Sequence, residues 1–364
     1  MTKRREKILL PLLAVLLGFI LGSLIVIATG RSPVAMFAAM VKGFSGLDII
    51  NDVPWNTRYI GEFVINAMPI ILTGLAFAFA SRTGLFSIGA EGQLMVGSLA
   101  ATAVALLVQA PRFIHLPLVL MASILAGALW GAVPGFLKAR FNVHEVTVSI
   151  MMNYIALHLN NFVILNIFGS QDKVKTAFFP ETALLKSPFL QSITRGSRLN
   201  WGFIPVILAL VVFSFIINKT TFGYSLRAVG YNRDASRYAG MKVNRNIVLS
   251  MMIAGAFAGL AGSVITVGTF NFGRAMSAAE GYGFDGIAVA LVGGNEASGI
   301  LFAGMLFGML KSAQPLMQSQ GIPREIAGII QASIVLFVAM RYGIKMLLER
   351  FKKQQAVTAD GDRA

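Results

Sequence analysis

Long apolar runs recur from one end of the chain to the other, separated by short polar or basic stretches. The first, Ile8 to Thr29, is long enough to cross a bilayer at roughly 20 residues per helix. Runs at 62–80, 85–109, 114–137, 145–168, 202–218, 247–270, 300–318 and 324–342 have the same character. Residues 286–294 are apolar but too short to span comfortably; Asp285 enters this segment and Gly293-Gly294 ends it. The pattern predicts an all-α, polytopic membrane helix bundle of about ten spans, with one short or broken segment near 283–295.

Basic residues lie between the runs: the opening MTKRREK, then Arg82, Lys138 and Arg140, then Lys345, Arg350, Lys352 and Lys353. Basic flanks favour the cytoplasmic side, so both termini are expected there. The expected organisation is a basic segment and first span over 1–30, then an external loop over 31–61 carrying Trp55 and Tyr59. A core of spans covers 62–345, and a cytoplasmic tail covers 346–364. The longest loop, 169–201, falls outside by parity. Its Lys173, Lys175, Lys186, Arg195 and Arg198 outnumber Asp172 and Glu181, but long loops follow the charge bias less strictly.

Composition agrees with a membrane protein. The chain is 56% hydrophobic and 13% charged, whereas a soluble domain is about 25% charged. A net charge of +15 would suggest nucleic acid in a soluble protein. Here the basic residues sit between apolar runs, so they read as cytoplasmic anchors that meet anionic lipid headgroups; no nucleic-acid partner is expected. The absence of cysteine excludes disulfides, thiolate metal sites and a cysteine nucleophile. No G-x-x-x-x-G-K-[ST] phosphate loop occurs, and the nearest match, Gly304 to Ser312, has the wrong spacing. His115, His144 and His158 are isolated, HExxH is absent, and no nucleophile elbow is visible. No catalytic residue, metal or cofactor is therefore expected on this chain.

Three stretches carry polar groups where lipid would not want them. The first is GLFSIGAEGQLMVGSLAA, residues 84–101, with Glu91 and Gln93 among four glycines. Ionisable groups at membrane depth normally face a bundle interior or a wet cavity. One reading is the start of a helix broken beside a translocation path. The other is a tight helix contact in which a neighbour satisfies Glu91. The second is GFDGIAVALVGGNEASG, residues 283–299, with Asp285. Paired interrupted segments in two halves of a chain point to a transport site. The third is the span at 145–168, where Asn153 and Asn160 are seven apart and share one face. Such amides either glue helices together or line a path; His158 reads as glue. The path candidates are thus Glu91, Gln93, Asn153, Asn160 and Asp285.

Residues 219–246 form a strongly basic loop, with six Lys or Arg against Asp234 alone, and belong in the cytoplasm. Within it, residues 234–239 read as a short helix, capped near Asn232 and ended by Gly240. It is either a docking knob for a partner or a loop held to anionic lipid.

The stretches LFSIGAEGQLMVGSLAA, NVHEVTVSIMMNYIA, GYSLRAVGYNRDASRYAGMKVNRN and GFDGIAVALVGGNEASGILFAG, in this order, resemble bacterial ABC-importer permeases. The resemblance covers roughly residues 60–345 and is to the branched-chain amino acid and simple-sugar permease superfamily. Within it, the chain looks most like the larger permease of nucleoside, guanosine-type, uptake systems; ribose and other sugar permeases share the plan. The resemblance implies a second permease chain, often a different one, and a cytoplasmic ABC ATPase that binds ATP and Mg. It also implies an extracellular substrate-binding lipoprotein, a small-molecule solute, and a bacterial inner-membrane location. It implies that the segment around Arg227, Gly230, Asn232, Ala235, Tyr238 and Gly240 sits in a groove of the ATPase. Asp234 and Arg237 join these residues because they lie on the same short helix. An ion-coupled secondary transporter using Glu91 and Asp285 is the alternative of another class, and a structural membrane protein without flux is a third.

Overall fold

The structure, a computed structural model, describes residues 3–50, 54–169 and 174–340. Its helices are α1 (Lys3–Ala28), α2 (Pro33–Ser45), α3 (Arg58–Ser81), α4 (Ala90–Leu107), α5 (Arg112–Phe141), α6 (Glu145–Asn166) and α7 (Pro188–Ile193). There follow α8 (Phe203–Lys219), α9 (Thr221–Tyr231), α10 (Arg233–Tyr238), α11 (Val243–Ser263), α12 (Tyr282–Val292), α13 (Ala297–Ser319) and α14 (Glu325–Ala339). A π-helical turn, Val264–Phe270, prolongs α11. No strand forms among the described residues, only isolated bridges such as Lys175 with Arg274.

Each of the ten expected apolar segments coincides with a helix, and the protein is a multi-pass membrane protein. Among the described residues, seven helices are long and apolar enough to cross by themselves, or eight if the pair α8–α9, bent by 72°, is one span. Over the expected segments 286–294 and 324–342, α12 and α14 are shorter apolar helices, as is α2. Two further differences concern loops. Residues 31–61 contain α2, whose Ala38, Ala39 and Met40 are buried. The basic stretch 219–246 begins with α9, which buries Leu226 and Val229. It restarts after the bend because the Thr220 hydroxyl oxygen accepts the Gly223 N–H at 2.9 Å, an N-cap. The expected tail at 346–364, together with Asp52, Asp172 and Lys173, lies outside the described residues.

The helices group into two compact units, 1–37 with 314–364, and 38–313. In the first, α1 packs on α14, and Gly18 and Gly22 let Ile334 and Ile330 approach the α1 backbone. In the second, α11 lies against α5, α4 and α3. Small residues make this possible: Gly127, Gly131 and Gly135 recur every fourth position on α5, and Gly255 and Gly259 do so on α11. A Cβ at Gly127 would collide with the Gly255 carbonyl and the Gly259 backbone. The Ser123 hydroxyl lies 2.8 Å from the Gly97 carbonyl of α4 and within bonding distance of the Gly259 carbonyl of α11. Close backbone approach with hydroxyl bridges is how helices associate where lipid supplies no hydrophobic drive. Gly127→Val is expected to cost about 1–3 kcal/mol through overpacking, seen as earlier thermal aggregation of the detergent-solubilised protein.

Candidate functional site

The two acid-bearing, glycine-interrupted stretches meet inside the second unit. After α3 the chain turns at Arg82–Gly84, with Gly84 at φ +72, and runs without helical structure to Gly89 before α4 begins. The first turn of α4 carries Glu91, which is 1% exposed. Its two carboxylate oxygens accept the N–H groups of Gly281, at 2.9 Å, and of Gly283, at 2.5 Å. Those are the free donors at the start of α12, where a negative charge is favoured by the helix dipole. Gly281 takes φ +84 there, and a Cβ on Gly283 would strike the Glu91 backbone.

This junction lies at depth rather than at a surface. The Thr73 hydroxyl of α3 is 2.8 Å from the Tyr282 carbonyl. Thr73 stands eight residues before the end of α3, roughly 12 Å inside it. The other end of α12 returns to the end of α3. The Arg82 guanidinium donates to the Asn295 carbonyl at 2.9 Å and pairs with Glu296, while Asn295 Nδ2 donates to the Ser81 hydroxyl at 3.1 Å. Glu91 therefore meets the positive end of α12, and Arg82, nine residues earlier, holds the turn three residues beyond its other end.

The other path candidates surround this joint. Asn153 of α6 clamps the start of α4: its Nδ2 donates to the Ile88 carbonyl at 3.0 Å and its Oδ1 accepts the Gly92 N–H at 2.9 Å. Asn160 donates to the Arg274 carbonyl at 2.9 Å. Asn161, which sequence reasoning left out of the site, exchanges two hydrogen bonds with the Met276 backbone. The shared face of Asn153 and Asn160 is thus occupied by the two segments that lead into α4 and α12. Gln93 is buried, with no hydrogen-bond partner for its Oε1 among the described residues. Asp285 faces α13, where Lys311 Nζ stands 3.2 Å from its Oδ2 and 3.6 Å from the centre of the Tyr282 ring. Neither Lys311 nor Arg82 was legible as a partner, because each lies far along the chain from the group it meets.

The coupling candidates form a second cluster. Asn232 caps α10: its Oδ1 accepts the N–H of Asp234 at 3.0 Å and of Ala235 at 2.9 Å. Gly240 follows at φ +78. Asp234, Ala235, Arg237 and Tyr238 are exposed, as is Asn232, while Arg227 is half-buried on α9. Tyr238 is 95% exposed, and Tyr231, absent from the sequence-based set, is 97% exposed. Bare tyrosines at a polar tip suit a protein partner, since Tyr anchors interfaces. Gly230 points the other way. It packs on the Arg82–Gly84 turn, and a Cβ there would lie 2.5 Å from the Arg82 carbonyl oxygen and 3.0 Å from the Gly84 nitrogen. Beneath it, Val229, Leu85 and Ala80 belong to one buried apolar cluster with Ile247 and Met251. The second cluster thus rests on the root of the first.

Residues 59–339 match the family described as branched-chain amino acid transport system / permease component. The guanosine ABC transporter permease NupP of Bacillus subtilis is 48% identical, over 98% of this chain and 100% of NupP. The nucleoside ABC transporter permease NupB of Lactococcus lactis is 37% identical over the full length of both. The glucose ABC transporter permease TsgB13 of Haloferax volcanii is 32% identical, over 88% of this chain and 84% of TsgB13.

Proposed function

The chain belongs to the permease-component family of branched-chain amino acid transport systems, and from that membership we propose that it is a membrane subunit of an ABC importer that takes up nucleosides. Identity of 48% to a guanosine permease across nearly the whole chain carries the choice of solute. A second B. subtilis permease named for guanosine transport is 28% identical over 68% of this chain. That supports a second, different permease as partner in the membrane. A cytoplasmic ABC ATPase supplies ATP and Mg chemistry, and an extracellular substrate-binding lipoprotein delivers the solute. The location is the bacterial inner membrane, with 219–246 and both termini in the cytoplasm and 31–61 outside.

The mechanism is alternating access. The ATPase grips the tip at Tyr231, Asp234, Arg237 and Tyr238. Its closure moves α9, whose Gly230 sits against Arg82–Gly84. The displaced turn carries the start of α4, and Glu91 passes the shift to α12. Glu91 and Asp285 each have partners already, two backbone N–H groups and Lys311, which argues against a free proton or sodium site.

Uptake of radiolabelled guanosine, glucose and ribose in cells lacking this gene or the neighbouring ATPase gene tests the reading. Loss of guanosine uptake in both deletions is expected. Loss of sugar uptake alone would move the solute to sugars, and uptake that needs this chain but not the ATPase would overturn the ABC reading. Charge reversal, Asp234→Arg or Arg237→Glu, is expected to abolish co-purification of the ATPase while leaving the permease inserted.

A further inference from the structure

Helix α6 carries polar residues on two sides, the second of them among exposed apolar ones such as Ile155 and Phe162. One, formed by Asn153, Asn160 and Asn161, is occupied by backbone groups of 88–92 and 274–276. The other is exposed. Thr147, Met151, Tyr154, His158 and Phe162 follow one another at steps of three or four and form one stripe along the helix. Tyr154, 64% exposed, and His158 lie in the middle third of this 22-residue span.

The exposed stripes of other spans are different. On α1 the stripe is Leu12, Leu16, Ile20 and Leu24; on α5 it is Leu118, Met121, Leu125 and Leu129. Those faces present hydrocarbon alone and suit lipid. A phenol and an imidazole turned to lipid at mid-span would leave hydrogen-bonding groups without partners, and such groups normally face a cavity. We propose that this stripe of α6 lines the water-filled solute path at the seam with the second permease, and that Tyr154 and His158 contact the solute there. The inference rests on the nucleoside reading and deepens it. A phenol ring offers a flat face on which a nucleobase stacks, and the imidazole and phenol hydroxyl suit ribose hydroxyls and the base edge. The opposite face of the same helix holds the start of α4 and the segment 274–276 that leads towards α12, so a change there reaches the stripe through one rigid element.

The cysteine-free chain makes a direct test available. Tyr154→Cys, His158→Cys and Met151→Cys are made singly, with Leu125→Cys on α5 as the lipid-facing control. The whole importer in membrane vesicles is treated with a charged methanethiosulfonate reagent, which needs a hydrated thiolate. The three stripe positions are expected to react at least about tenfold faster than position 125, and saturating guanosine should slow them. Met151→Cys removes no polar group, so it keeps the test informative if the other variants insert poorly. Labelling no faster than at 125, or, in an importer that does take up guanosine, fast labelling that guanosine leaves unchanged, overturns the proposal. Fast labelling in an importer that takes up no guanosine supports the path and rejects the nucleoside reading. In parallel, His158→Ala is expected to raise the half-saturating guanosine concentration roughly 2- to 10-fold, the equivalent of one net hydrogen bond, with ATPase co-purification unchanged. An unchanged half-saturation removes His158 from the solute contact.

Discussion

Gly230→Val is expected to leave the ATPase bound and to stop transport. The valine would have to enter space already filled by the Arg82 carbonyl, the Thr83 backbone and the Gly84 nitrogen. None of these is a flexible side chain that can swing away. Gly84 is itself fixed in a left-handed conformation and cannot easily retreat. Overpacking of this kind costs about 1–3 kcal/mol and is relieved by pushing α9 off the turn. The exposed tip, with Tyr231 and Tyr238, is untouched by the change, so co-purification with the ATPase should persist. Guanosine uptake by membrane vesicles given ATP should fall by more than about tenfold, because the stroke no longer reaches α4. Basal ATP hydrolysis should continue. Wild-type uptake in this variant would show that force passes elsewhere, and loss of the ATPase would show that Gly230 shapes the docking surface itself.

Glu91→Ala is the second large effect. The substitution leaves the Gly281 and Gly283 N–H groups buried without an acceptor. Each orphaned donor costs about 1–3 kcal/mol; relief of burying the carboxylate offsets part, so about 2–4 kcal/mol of net destabilisation is expected. Glu91→Gln separates charge from hydrogen bonding: one of the two acceptor oxygens becomes an NH2 group, which cannot accept from the backbone N–H it faces. The expected order of thermal stability of the solubilised protein is wild type, then Gln, then Ala, with guanosine uptake following the same order. If Glu91→Ala keeps its melting temperature and loses uptake only, the carboxylate acts on the solute path and not on the joint.

How much of this was legible in the chain depends on distance along it. The cap of α10 was readable because Asn232, Asp234 and Ala235 are neighbours and the rule that joins them is local. The membrane helices were readable because apolar runs need no partner to be recognised. The two glycine-interrupted, acid-bearing stretches each stood out, yet nothing in either says that they touch. Glu91 is 190 residues from Gly281, and what it meets is backbone N–H, which no residue type announces. Arg82 was legible only as a sign of the inner side; its second role appears once α12 is seen to end beside it. His158 read as helix glue because a lone histidine in a span usually has a neighbour, and exposure is a tertiary property that spacing along one helix cannot supply. The basic stretch 219–246 read as loop because charge dominates its composition, although Gly223, Leu226 and Val229 form the buried side of α9.

The double attachment of α12 has a mechanical consequence. The link 82–91, from the end of α3 into the first turn of α4, and α12 with the turn that follows it, are joined at both ends, through Glu91 to Gly281 and Gly283 and through Arg82 to Asn295 and Glu296. A displacement of one is passed to the other at two places rather than at one. The two segments are therefore expected to move together, and breaking either attachment should loosen that coupling.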